Sequence, residues 1–443
     1  MTATPRSMPR PYEAFLPTLL NEASEQARRA EAVVSPHPGA PQDLTDRIER
    51  YVGDLGADIV GLSHQVFDHP ELCFEEHEAA AAVARLVRSH GLAIEVGSFG
   101  LPTSFRARVG NGRPAVAILA EYDALPDIGH GCGHNVICAS AVGAFLALAR
   151  VASELPGSVE LIGTPAEEGG SGKVLIARAG GFDGIDAAMM IHPGVYDVGT
   201  YPPQGMRTVN VVYQGLEAHA AAMPFMGRNA LDAVVAAYSG ISQLRQHMLP
   251  SDRIHGVILE GGRRPNIVPG RTAASFYVRS RRTETMRELS SRVQQIFEAA
   301  AHMTGTSVDV EWDPYPEEQP VRTNRVLMER YAVNMARRGR AVLGQQALEV
   351  PLNGSTDFGN VSHLVPGIHP VVAMATPGVA CHSREFAAEA RGPRGDRAAL
   401  DGAFALASTA ADFLHDAAMR AAAMAEFTAA GECVPVQTSE GKE

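Results

Sequence analysis

Cys132 stands in "GHGCGHN", residues 129–135, between His130 and His134. A thiol in that setting serves as a disulfide half, a small buried hydrophobe, a nucleophile or a metal ligand, and each use needs different company elsewhere in the chain. Asp123 follows the apolar run "AVAILAEY" (115–122), and the adjacent Glu167 and Glu168 follow "SVELIGT" (158–164). His192 follows "AAMMI", and His382 lies just beyond "PVVAMAT" (370–376). Taken singly, each has a bland explanation: a lone Cys is usually core, and a Glu-Glu pair is a solvated loop in roughly four cases of five. The weight lies in the coincidence, because separate loops each supply a metal-competent side chain. With Cys132 and His134 they make an N/O/S donor set suited to zinc or to manganese-type ions.

Such residues must be gathered by a scaffold. The apolar runs at 115–122, 158–164, 187–193 and 370–376 predict buried strands, and 137–153 and 401–419 predict helices. That alternation predicts an α/β fold, a mixed-sheet catalytic domain with helices on both faces, whose strand ends open into one crevice. The middle of the chain differs. Strands at 208–215, 256–262 and 271–280, with helices at 230–246 and 283–305, predict a smaller inserted α+β domain. The expected organisation is an N-terminal extension and linker at 1–44, containing a helix within 12–34, and a catalytic domain at 45–205 and 316–425. The insertion occupies 206–315, and a loose tail follows at 426–443.

Bulk properties narrow the function. A formal charge of −12 over 443 residues argues against a nucleic-acid partner. The chain carries no apolar run long enough for a membrane span and no signal-like apolar core near residue 1, so a cytoplasmic location is expected. Five cysteines, odd in number and widely spaced, make a disulfide framework improbable. Two decoys fail: "EEGGSGKV" has Glu167 and Val174 where a phosphate loop needs Gly and Ser or Thr, and Lys173 breaks the nucleophile-elbow pattern. A Cys132 nucleophile stays open, although paired carboxylates opposite the thiol favour a metal thiolate.

The ordered motifs "HPELCFEE", "EYDALP", "GHGCGHN", "TPAEEGG", "HPG", "GLEAHAA", "NIVP", "STDFGNVS" and "CHSREF" resemble the amidohydrolase branch of the aminoacylase and carboxypeptidase-G metallopeptidases. "CGHN" and "STDFGNVS" are most similar to its aminobenzoyl-glutamate hydrolase and aminoacylase-like dipeptidase group, and the likeness spans roughly residues 45–420.

The resemblance implies a two-metal centre, zinc or manganese, with Cys132, His134, Glu168, His192 and His382 as ligands. Glu167 is then the general base, and Asp123 buttresses a ligand. The insertion becomes a lid and dimerisation domain of a homodimer, whose His219 reaches the partner's site to stabilise the oxyanion. Asn266 and Arg279 would hold the substrate's free carboxylate. Asn135 and Ile137 depart from many relatives, which carry Asp and His there. Glu121 stands where other branches place a metal-binding His, and is left outside the ligand set. His130 is a lesser candidate, as is Asp357 near the pocket.

The expected activity is metal-dependent hydrolysis of an amide in an N-acyl amino acid or dipeptide-like molecule such as aminobenzoyl-glutamate. The alternatives are a non-turning-over, metal-stabilised binding or regulatory homologue and a cysteine-dependent hydrolase.

Overall fold

The computed structural model describes residues 15–29, 31–200, 203–344 and 354–431. The strands, in chain order, are Glu95–Val96 (β1), Phe105–Gly110 (β2), Ala115–Ala120 (β3), Ser158–Gly163 (β4), Ala187–Met189 (β5) and His192–Gly194 (β6). They continue with Gly205–Gln214 (β7), Arg253–Glu260 (β8), Arg271–Ser280 (β9), Ser307–Trp312 (β10), Gly367–Ile368 (β11) and Val371–Ala373 (β12).

A six-stranded sheet runs β1-β2-β4-β3-β5-β11. Its β4-β3-β5-β11 part is parallel, while β1 and β2 join antiparallel, so the sheet is mixed. Every residue of β3 and β4 is buried, as expected of strands covered on both faces. The two faces separate with period two along β3. Val116, Ile118 and Ala120 join the larger core, whereas Ala115, Ala117 and Leu119 pack with Ile137, Phe182 and Phe358 on the other side. Helix His134–Ala149 is apolar nearly all round because it is sandwiched between this sheet and helix Pro393–His415.

The second sheet, β10-β7-β9-β8, is antiparallel throughout. With helices Ala230–Leu244 and Thr283–Thr304 it makes a βαββαβ unit. One face of the sheet buries Val209, Val211, Ala274, Phe276 and Val278 against those helices.

Three expectations shift. The run at 187–193 is two strands rather than one, because β6 leaves the main sheet to pair with β12 in a separate ladder. The sequence reading passed over β2, whose polar Arg106 and Arg108 alternate with buried residues, and over β10. Of the 12–34 stretch, Phe15–Arg29 is helical and residues 31–34 are not, while 12–14 and 30 lie outside the described residues. Of the expected tail, residues 426–429 belong to helix Ala417–Ala429 and 432–443 lie outside the described residues. Among the described residues no helix is long and apolar enough to cross a membrane.

Candidate metal centre

The site forms where the parallel strands end. β3 is followed by Glu121 and Asp123, β4 by the turn carrying Glu167 and Glu168, and β12 by the loop with Cys381 and His382. Cys132 and His134 flank Gly133, which caps the helix from His134 at φ 77, a left-handed conformation that favours glycine. A Cβ there would meet Pro193 Cγ at 2.9 Å, so the missing side chain also lets this turn sit against His192's neighbour.

Cys132 Sγ is the hub. It lies 3.4 Å from each of His192 Nε2, His382 Nε2 and Cys381 Sγ. His382 Nε2 lies 3.4 Å from Glu168 Oε1, which is 4.0 Å from His134 Nε2. Four groups bring their donor atoms within 4.8 Å of one another: Cys132/His134/His192, Cys132/Cys381/His382, His134/Glu167/Glu168 and Glu121/Glu167/Asp357.

The residues fit cations. His134 Nδ1 is 3.1 Å from Asp123 Oδ1, which fixes the ring and aims Nε2 into the cluster. Nδ1 of His192 likewise contacts Pro193 O at 2.7 Å, freeing its Nε2. Among the described residues, the buried His134 Nε2 and Glu168 Oε1 have no hydrogen-bond partner. Such atoms are costly unless something electropositive joins them.

Asp123 does double duty, since its Oδ2 also accepts from Glu168 N at 2.9 Å. The same turn is held on its other side by Glu76, whose Oε1 accepts from Ala166 N at 2.9 Å. Ala166 itself adopts φ 59, a strained conformation for a residue with a Cβ. Burial and the charges of Glu121, Glu168 and Asp357 push the Glu167 carboxyl well up, and the His134 ring opposes that rise.

Lys173 is fully buried beneath this pair, ion-paired with Glu121 and, at 2.6 Å, with Asp357. Burial opposes its charge, but Asp357, Glu121 and Glu167 hold the ammonium firmly protonated. Its neighbourhood "GGSGK" had signalled only failed motifs. Glu121, left outside the ligand set, belongs to this buried network and sits 3.5 Å from His134 Nε2. Cys381 was also missed. In an extended chain it would face away from its neighbour His382, but His382 at φ 62 turns the backbone so that both side chains reach Cys132.

The remaining candidates lie apart. His130 Nε2 contacts Val66 O at 2.9 Å, and His130 is in none of the four groups. His219 lies exposed on the inserted unit, its Nδ1 accepting from Ala222 N at 3.1 Å. Asn266 is exposed nearby, with its carbonyl accepting from Ala220 N. Arg279 on β9 donates to Ser355 Oγ at 2.6 Å, tying the second sheet to the loop before Asp357. No hydrogen bond joins Asn266 to Arg279 among the described residues.

The profile of Peptidase family M20/M25/M40 matches residues 117–399, which contain every member of the cluster. The chain belongs to this family. It is therefore a hydrolase of the metallopeptidase and amidohydrolase kind, as its motifs had implied. This M20 chain is 37% identical over 396 residues to the Xaa-Arg dipeptidase of Mus musculus, covering 86% of the chain and 90% of that relative. It is 34% identical over 274 residues to one of the subunits of the p-aminobenzoyl-glutamate hydrolase of Escherichia coli, 57% of each. A solved dinuclear metal-binding M20 peptidase from Bacillus subtilis superposes with a TM-score of 0.63 at 21% identity, covering 81% of this chain and 99% of that one. That likeness shows a shared fold, an M20 catalytic domain with its lid.

Proposed function

We propose that the protein hydrolyses the amide bond of a dipeptide or N-acyl amino acid, with Glu167 as general base beside two divalent cations held by Cys132, His134, Glu168, His192 and His382. The observation that carries this reading is the convergence of those five donors around Cys132 Sγ and Glu168 Oε1 at 3.4–4.0 Å, with Glu167 in the same donor group as His134 and Glu168. When bound, the cations supply Lewis acidity toward the scissile carbonyl and lower the pKa of water.

The chain's own residues do the rest. Glu168 is committed as a ligand, and Glu167, next to it, takes the proton from the attacking water and returns it to the leaving amine. Asp123 orients His134 and the Glu168 backbone together. Arg279, with Asn266, receives the carboxylate of the leaving amino acid. The substrate class follows the relatives: dipeptides, including those ending in arginine, and aroyl-glutamate amides. The working metal is zinc or manganese. The four described cysteines are free thiols, in keeping with a cytoplasmic setting.

Residues 206–315 act as the lid of a homodimer, in which His219 serves the partner's centre. Supporting this, His219 bridges the exposed Ile267, and Leu216, Phe225 and Met226, within seven residues of it in sequence, are exposed apolar side chains that a second copy would cover. Mixing inactive Glu167→Gln and His219→Ala chains should restore partial activity through hybrid dimers. No recovery despite demonstrated subunit exchange would remove the role in trans.

The deciding experiment measures amino-acid release from Xaa-Arg dipeptides, aminobenzoyl-glutamate and N-acyl amino acids, using stripped protein and then adding Zn²⁺ or Mn²⁺. Release that depends on added metal is expected. Release that survives stripping and dies with thiol alkylation would instead make Cys132 a nucleophile.

A further inference from the structure

Cys381 has no part in the hydrolytic scheme, yet it stands inside the cluster. Its Sγ lies 3.4 Å from Cys132 Sγ, which is 3.4 Å from His382 Nε2. A tetrahedral ion with Zn–S near 2.3 Å and Zn–N near 2.0–2.1 Å holds its donors roughly 3.5–3.8 Å apart. The two separations of 3.4 Å fall just below that range, and all three donor atoms lie within 4.8 Å of one another. The backbone is shaped to produce them: His382 adopts φ 62, and its N–H donates to Gly131 O at 2.9 Å, clipping the 381–382 loop onto the Cys132 loop. A non-glycine residue in that conformation is strained, and such strain gathers where a site needs it.

We propose that Cys381 is a metal ligand, which with Cys132 and His382 gives one of the two cation positions a two-thiolate, one-imidazole donor set selective for zinc over manganese. This rests on the reading that the cluster binds cations. Two sulfurs and a ring nitrogen form a soft set, which favours zinc and similar thiophilic ions. The ligands His134 and Glu168, which face Glu167, contain no sulfur and suit a harder ion, so the two positions differ in what they retain. Coordination removes one proton from each thiol, and both protons pass to solvent.

The test uses the full chain, stripped and kept under a phosphine reductant so that the two thiols stay reduced. Wild type, Cys381→Ser, Cys132→Ser and the double variant are titrated with Co²⁺, reading sulfur-to-cobalt charge-transfer absorption per bound cobalt. Wild type should absorb about twice as strongly as either single variant, and the double variant should lack the band. In competition, Cys381→Ser should lower the preference for Zn²⁺ over Mn²⁺ roughly tenfold. Cys381→Ala, checked by circular dichroism, guards against a folding artefact. Equal absorption in wild type and Cys381→Ser, with the band lost in Cys132→Ser, would overturn the Cys381 assignment and leave the metal centre standing. Absence of the band in wild type with cobalt bound would overturn the Cys381 and Cys132 assignments, and absence of bound cobalt would overturn the metal centre as well.

Discussion

Glu167 sits in a crowd of like charges. Glu121, Glu168 and Asp357 surround it, and Lys173 is ion-paired with Glu121 and Asp357 of that carboxylate group. Such a placement is poor for stability and suited to a base whose proton affinity must be high. Glu167→Gln replaces a carboxyl that burial and its neighbours resist ionising, without changing shape. The metal-free variant should melt at the same temperature as wild type or higher, and metal content after loading should be unchanged. Turnover should fall by on the order of 10²-fold or more, the loss of a general base. Retained turnover would sink the role. The Glu-Glu pair was legible in the sequence because it follows an apolar strand, as the other candidates do. Lys173 was not, since a lysine in a glycine-rich stretch reads as surface, and its burial depends on two carboxylates supplied from residues 121 and 357.

The elements deliver these side chains through their ends. The helix His134–Ala149 begins directly after Gly133, so the turn that starts it must also set the spacing of Cys132 and His134. Gly133→Ala would force a Cβ into a left-handed backbone position and against Pro193. It should destabilise the protein by about 1 kcal/mol or more and displace His192 from Cys132. Weaker metal retention during dialysis should accompany the loss of stability, while wild-type retention would show that the turn relaxes without moving the ligands. Element-level reading also explains what the sequence concealed. β3 and β4 are continuous apolar runs and declare themselves, because both faces are covered. β2 alternates polar Arg106 and Arg108 with buried residues, its arginines pairing with the buried Glu160 of β4. Cys381 and His382 are neighbours whose convergence depends on one left-handed residue, and periodicity carries no trace of that.

At the scale of the whole molecule, the chain passes between its two sheets at Met206 and returns at Glu318, and the two backbones bridge each other there. The Glu318 side chain is buried at this crossing and accepts from Ser171 Oγ at 3.2 Å, while Ser171 lies three residues past Glu168. Burial, reinforced by Asp357, raises its pKa from 4.5 to about 8. The folded chain therefore holds a proton that the unfolded chain releases. The stabilisation linked to that proton is fully present below about pH 4.5 and is lost as pH rises through about 8. Each pH unit in that window weakens the fold by roughly 1 kcal/mol at this site. Glu318→Gln keeps the hydrogen-bonding shape and removes the titration. Its melting temperature relative to wild type should rise steadily from pH 5 to pH 8, and parallel curves would mean that Glu318 is ionised in the folded protein throughout. The crossing joins the lid to the domain that carries the donor cluster, so ionisation there loosens the connection that any closing motion must use. If that linkage holds, amide release by wild type should fall off above about pH 8 more steeply than release by Glu318→Gln, with metal content equal in both.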